Sequence, residues 1–371
     1  MKITETLNNF KIPGLILNLI FTIVLSSIRW VNKLFKVNDG SIVIVVLHRL
    51  GDSVFTIPAI LQIQKFYNRE VILFCYSESV PIFKIILKNV IYCSVERTDF
   101  FYANRIASIK ARKKLSKCQP STIIDLTGVM TSASLIFNSR AGKLIGMNRE
   151  IFKSIYDVYT PVFYKSHLSE MYLNVAKLII GENASVNPYE SPSTINKVEK
   201  IIIHPFAGWK AKEWNLNKYI KLSKALIENY HVAIVIPGHY LTRDVIEEIK
   251  NVNIEIIETK NIDELILVLN NYSLLIGNDS GPIHIASLLG KATFTIYGPS
   301  NPIFTIPYGL HHGYYQKLIK CSPISTENLC FTDGGRYGCP SFECMNELSV
   351  DDVLEKIKIF IFNLDNNRVE L

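Results

Sequence analysis

The sequence predicts an α/β protein of two doubly wound, Rossmann-like domains facing a cleft, and three observations carry that expectation. The chain has 371 residues, more than one ordinary hydrophobic core serves, so two domains that each bury their own centre are expected. From residue 41 onward short β-branched runs alternate with longer helical stretches, the pattern of parallel strands joined by helices. The series then starts again after GENASVNPYESPSTINKVEK (181–200), whose Pro, Asn, Ser and Gly content reads as a linker.

Composition sets the outer bounds. With 48% hydrophobic and 20% charged residues the chain is a folded globular protein, which excludes a disordered or fibrous one. The net charge of +7 suits an acidic partner. The densest basic run, KARKKLSK (110–117), reads as a contact for substrate phosphates or an anionic membrane, or as a solvated helix face.

In the first series, SIVIVVL (41–47), VILFCY (71–76) and STIIDLTG (121–128) are strands ending in polar or Gly-rich loops. In the second, KIIIHPFAG (200–208), HVAIVIPGH (231–239), NIEIIE (253–258), SLLIGNDSG (273–281) and ATFTIYGPS (292–300) do the same, at the ends where an open parallel sheet places its ligand loops. Ser349, followed by acids and then by apolar residues at helical spacing, predicts an amphipathic C-terminal helix. The expected boundaries are an extension over 1–40, domains over 41–180 and 201–348 with 181–200 between them, and a helix and tail over 349–371.

Residues 1–40 differ from the rest. Seventeen uncharged residues separate Lys11 from Arg29, at the lower edge of what spans a bilayer. RWVNKLFK follows them, not a small-residue cleavage site, so the segment is expected to be retained. Arg29, Lys33 and Lys36 with Trp30 and Phe35 favour a helix lying in a cytoplasmic membrane surface over a span or a buried packing helix. Seven cysteines include Cys321, Cys330, Cys339 and Cys344 within 24 residues. Their gaps form no paired C-x-x-C knuckles, so reduced thiols rather than a zinc site or disulfides are expected.

The chemistry is concentrated in two loops. LLIGNDSGPIHIASLLG (274–290) takes a buried strand into Asn278, Asp279, Ser280 and Gly281 and then starts a helix with Pro in its first turn. The N-terminus of such a helix cradles a phosphate or diphosphate, with Gly281 letting the anion approach and His284 adding a hydrogen bond or charge. HPFAGWKAKEWNLNKYI (204–220) has the same architecture, with Gly208 in the loop and Lys212 placed to reach a leaving phosphate. Gly238, in the turn after the next strand, is grouped with Gly208 and Lys212 as a candidate on the phosphate side. Across the cleft, RLGDSVF (49–55) offers Asp52 as a base for a hydroxyl, or as a helix cap. Ser53 has no D-x-x-H partner pair and is not read as a nucleophile. No G-x-G-x-x-G or Walker pattern occurs.

Together RLGDSVFTIPAI, HPFAGWKAKEWNLNKYIKLSKAL and IGNDSGPIHIASLLGKATFTIYGPSNP resemble, in order, three motifs of the heptosyltransferases, glycosyltransferase family 9 of bacterial lipopolysaccharide core synthesis. The resemblance covers about residues 41–360. It implies the GT-B fold and an inverting transfer from a nucleotide-diphosphate sugar, ADP-heptose by family default, without a catalytic metal or other cofactor. It also implies Asp52 as general base, with Lys212, Asp279, Ser280, Gly281 and His284 holding the donor. An acid at Asp279 is expected to bond a sugar or ribose hydroxyl or to orient the loop. The acceptor it implies is a lipid-linked or lipopolysaccharide-type glycan at the cytoplasmic face of the inner membrane, with no nucleic-acid partner. Trp214-Asn215 stands where the family commonly has Trp-Pro, and residues 1–40 are an addition. A sugar-nucleotide epimerase or hydrolase on the same fold, and a non-catalytic sugar-nucleotide or glycan-binding protein, are the competing readings.

Overall fold

The structure, a computed structural model, describes residues 11–37, 39–103, 105–148, 152–162, 166–182, 197–250, 254–309, 311–325, 327, 329–330, 339 and 341–366, with the backbone alone at 11–21 and 250. Most of the expected linker, residues 183–196, lies outside them.

The N-terminal part opens with helix α1 (Lys11–Leu34) and then strand β1 (Ser41–Val46). Helices α2 (Leu50–Phe55) and α3 (Ile57–Tyr67) lead to β2 (Val71–Tyr76), α4 (Val80–Ile86) and β3 (Val90–Val95). A short antiparallel pair, β4 (Phe100–Phe101) and β5 (Ile106–Ala107), precedes α5 (Ile109–Lys117) and β6 (Pro120–Asp125). Helix α6 (Met130–Ile136), β7 (Lys143–Asn148), β8 (Val158–Pro161) and α7 (Leu168–Ile180) complete it.

The C-terminal part repeats the plan. It runs β9 (Lys200–His204), α8 (Leu216–Leu226), β10 (His231–Pro237), α9 (Arg243–Lys250), β11 (Glu255–Thr259) and α10 (Ile262–Asn270). Then come β12 (Leu274–Asn278), α11 (Gly281–Leu288), β13 (Ala292–Tyr297), α12 (Pro302–Thr305), β14 (His312–Gln316), α13 (Glu343–Asn346) and α14 (Val350–Asp365).

Two six-stranded parallel sheets result, ordered β3-β2-β1-β6-β7-β8 and β11-β10-β9-β12-β13-β14. Central strands are apolar almost throughout because helices cover both faces: β1 and β12 are buried from Ile42 to Val46 and from Leu274 to Asn278. In each sheet the strand order reverses once, between β1 and β6 and between β9 and β12, and a crevice opens there above the carboxyl ends. Asp52 follows β1, and Asp279 follows β12. The sequence reading omitted β3, β8 and β14, which are edge or near-surface strands of mixed burial, and β7, whose Gly146 and Asn148 break the apolar run.

The caps explain where the helices start. Asn215, in place of the family's Pro, accepts the Asn217 N–H at 2.8 Å and opens α8; Ser349 accepts the Asp352 N–H at 3.1 Å and opens α14. Among the described residues no helix is long and apolar enough to cross a membrane.

Candidate functional site

The β12–α11 loop is built on an internal strut. Asn278 is fully buried; its Oδ1 accepts from the Trp214 N–H and the Tyr219 hydroxyl, both at 2.9 Å, and its Nδ2 donates to the Pro205 carbonyl at 2.8 Å. Asn278 therefore ties the Lys212 loop and the β12–α11 loop together from behind, and its amide is spent inside the protein. Trp214, itself buried, donates its indole N–H to the Leu348 carbonyl at 3.1 Å. The helix face read from Trp214 to Leu222 is a packing face.

Asp279 stands in front of this strut at 4% exposure. Its Oδ2 accepts from Lys212 Nζ at 2.5 Å and from the Ser300 hydroxyl at 2.6 Å, while Oδ1 faces His284 Nε2 at 3.7 Å. Burial alone would raise the pKa of this carboxyl, but the charges and hydrogen bonds of Lys212 and His284 outweigh burial and hold it well below the usual carboxylate range. The acid thus collects the cation and the imidazole into one cluster. Lys212 keeps two of its three N–H donors for another partner. Sequence reasoning left Ser300 out of the site. Its signal was the GPS (298–300) that trails β13.

Two more polar atoms are in place but unoccupied by any protein partner: Ser280 Oγ and His284 Nδ1 are enclosed without a hydrogen bond. Such atoms are rare in native proteins and call for an explanation; here both lie in or beside the first turn of α11, whose dipole turns its positive end to the crevice. Gly281 and Gly51 hold the helix and the opposite loop in contact. A Cβ on Gly51 would lie 3.2 Å from His284 Cδ2 and 3.6 Å from Gly281 Cα. Gly208 is exposed at the mouth of the Lys212 loop, and a Cβ there would touch nothing within 4 Å. Gly238 is different, since a Cβ would lie 2.7 Å from Glu258 Oε1. The neighbour is the tip of an exposed glutamate side chain, which can move aside.

The facing wall is the β1–α2 loop. Two neighbours fix it: the Thr127 hydroxyl accepts the Leu47 N–H at 2.9 Å, and His48 Nε2 bonds the Leu126 carbonyl at 2.8 Å. Asp52 is half-buried in the first turn of α2, one residue from the Gly51 that meets α11. Ser53 points away: it is fully buried and its hydroxyl donates to the Arg49 carbonyl at 3.0 Å, which leaves no nucleophile in this loop. Below the wall, Phe55 packs edge-on against His284 at 4.7 Å and His167 at 5.3 Å. His167 bridges the domains: its Nδ1 accepts the Ser169 N–H, so its Nε2 carries the proton donated to the Ile306 carbonyl at 2.8 Å. Burial lowers its pKa to about 4.

The four clustered cysteines line one cavity with Ala211 and Pro299, directly behind the Lys212 and Ser300 loops. All seven thiols are free. Among the described residues no three His, Cys, Asp or Glu side chains are grouped to hold a metal ion.

Comparison with known proteins decides the family. The model of glycosyltransferase family 9 (heptosyltransferase) matches residues 108–328. The chain belongs to that family. As a family 9 glycosyltransferase it is similar to lipooligosaccharide heptosyltransferase 2 of Campylobacter jejuni, at 24% identity over 83% of this chain and 95% of that one. The fold of this family 9 chain matches a glycosyl transferase family 9 crystal structure from Veillonella parvula, with a TM-score of 0.67, 19% identity and coverage of 88% and 99%. It also matches Escherichia coli heptosyltransferase WaaC with ADP-2-deoxy-2-fluoro heptose, with a TM-score of 0.63, 16% identity and coverage of 86% and 99%. The α/β fold with two parallel sheets that the motifs implied is therefore the observed one.

Proposed function

We propose that this glycosyltransferase moves heptose from ADP-heptose to a hydroxyl of a lipooligosaccharide-type core acceptor, with inversion at the anomeric carbon and Asp52 as general base. The observation that carries the reading is the contact of Gly51 with Gly281 and His284, which sets one carboxylate wall against one anion cradle. In the step, the acceptor oxygen attacks the anomeric carbon as its proton passes to Asp52. The bond from that carbon to the diphosphate oxygen breaks, and ADP leaves with the electron pair. Lys212, His284 and the positive end of α11 meet the growing negative charge, work that a divalent cation does in other transferases. Asp279 holds those two cationic groups in register and keeps its own charge off the phosphates. Ser280 and Gly281 offer the enclosed hydroxyl and the close backbone approach. The enzyme is read as working at the cytoplasmic face of the inner membrane, where a lipid-linked acceptor is found.

A transfer assay with ADP-, GDP- and UDP-sugars and core oligosaccharides, run with and without EDTA, tests the reading. Product is expected from the ADP donor, dependent on acceptor and unchanged by the chelator. Consumption of donor without acceptor would point to a hydrolase or epimerase, and loss of rate in EDTA would remove the metal-free mechanism.

A further inference from the structure

The described side chains of helix α1, from residue 22 on, bond to the N-terminal domain along one side and are exposed along the other. On the bonded side Leu25 enters the core with Ala141 and Leu144. Arg29, 5% exposed, donates to the Ala141 carbonyl at 2.7 Å, the Gly142 carbonyl at 3.2 Å and Asp157 at 2.7 Å. Asn32 donates to Asn138 at 3.1 Å, and Lys33 pairs with the same Asp157. Positions 25, 29 and 32 fall on one helical face. Positions 23, 24, 30, 31 and 34 fall opposite, and there Ile23, Val24, Trp30, Val31 and Leu34 are 55%, 48%, 65%, 47% and 62% exposed, continued by Phe35 at 64%.

Six large apolar side chains on one exposed stripe require a partner. The charge around the stripe identifies it. Arg140 stacks 5.7 Å from the Phe35 ring centre, and Lys36 lies beside Gly142. Lys143, next to Gly142, and Lys153, in the turn that packs on α1, are exposed, while among the described residues Asp157 is neutralised by Arg29 and Lys33 and Asp39 is an exposed acid just past the helix. An aromatic and aliphatic stripe with a basic border matches the interfacial layer of an anionic bilayer.

We propose that residues 22–36 are a foot lying in the surface of an anionic phospholipid membrane, seating the β7–β8 side of the N-terminal domain on lipid. The foot lies on the bilayer and does not cross it, because crossing would strip Arg29 from Asp157 and two backbone carbonyls and carry its charge into hydrocarbon. The inference deepens the membrane-acceptor reading and rests on it only for its purpose, so its test is read without catalysis.

Full-length protein would be sedimented with phosphatidylcholine vesicles and with vesicles containing phosphatidylglycerol, alongside a Trp30→Glu/Phe35→Glu variant and a Lys36→Glu/Arg140→Glu variant. The wild type is expected to bind the anionic vesicles in a salt-sensitive way and to be released by alkaline carbonate. Each double variant is expected to lose at least about tenfold in partitioning while keeping its circular dichroism. Binding by the Trp30→Glu/Phe35→Glu variant equal to wild type, or resistance to carbonate, overturns the proposal. So does a wild-type dimer that this variant dissociates with no vesicle binding, which would make the stripe an interface between copies. Transfer to a delipidated oligosaccharide, assayed in the same preparations, reports separately on the catalytic reading.

Discussion

Asp279 keeps its charge in a buried place only because Lys212 and His284 stand beside it. With its folded pKa below the unfolded value of about 3.9, the carboxylate contributes stability that is complete above about pH 4 and is lost as pH falls below it. Removing Lys212 leaves the acid with Ser300 and His284 alone. Lys212→Met is expected to cost about 3 kcal/mol in urea unfolding, at the low end for a broken buried pair because Lys212 is partly exposed. Donor affinity should fall with it. Two histidines act in a different pH window. Burial lowers the pKa of His204 and of His167 to about 4 against about 6.5 in the unfolded chain. Above pH 6.5 both states are neutral and stability is undiminished; between 6.5 and about 4 only the unfolded chain takes up these protons, and stability falls. Whatever offset His204→Asn introduces, the decline of the urea midpoint between pH 6.5 and 4.5 should become shallower. An unchanged slope would contradict the assignment.

At the scale of elements, the β6–α6 turn governs the wall that carries Asp52. Asp125, fully buried, accepts the Thr127 N–H at 2.8 Å and the Tyr156 hydroxyl at 2.6 Å, and Thr127 in turn holds Leu47. Gly128 completes the turn at φ +65°, where a Cβ would lie 2.6 Å from the Met147 carbonyl oxygen. Gly128→Ala should destabilise by about 2 to 4 kcal/mol, combining left-handed strain with overpacking, and chemical denaturation measures it. The elements differ in how far the sequence disclosed them. β1, β2, β9, β10 and β12 are continuous apolar runs closed by Gly or a polar residue, so their strands and ligand loops were legible. Edge strands such as β14 carry no such run, because only one neighbour covers them. The site divides the same way. Asp52, Lys212, Asp279 and His284 stood in motifs, but the Asn278 strut looks like its neighbours in sequence and differs only in the partners that the fold brings: Trp214, Tyr219 and Pro205. Ser300 stood in the GPS that trails β13, but its bond to Asp279, 21 residues away, comes only from the fold.

For the molecule as a whole, the repeated sheet order puts both strand-order reversals on the same crevice, one carrying Asp52 and the other the Asp279 loop and the start of α11. The two halves meet at Gly51, Gly281 and Phe55, so bulk there should act on catalysis through position. Gly51→Val is expected to push against His284 and lower kcat without abolishing ADP binding, which calorimetry beside steady-state rates would resolve. The central claim is that Asp52 takes the acceptor proton. The most direct measurement compares wild type with Asp52→Asn, following heptose transfer from ADP-heptose to a core acceptor and ADP affinity by calorimetry on the same samples. A fall in kcat of about 10² to 10⁴ with ADP affinity unchanged is the predicted result. Transfer by Asp52→Asn within a few-fold of wild type would contradict it and move the base elsewhere in the crevice.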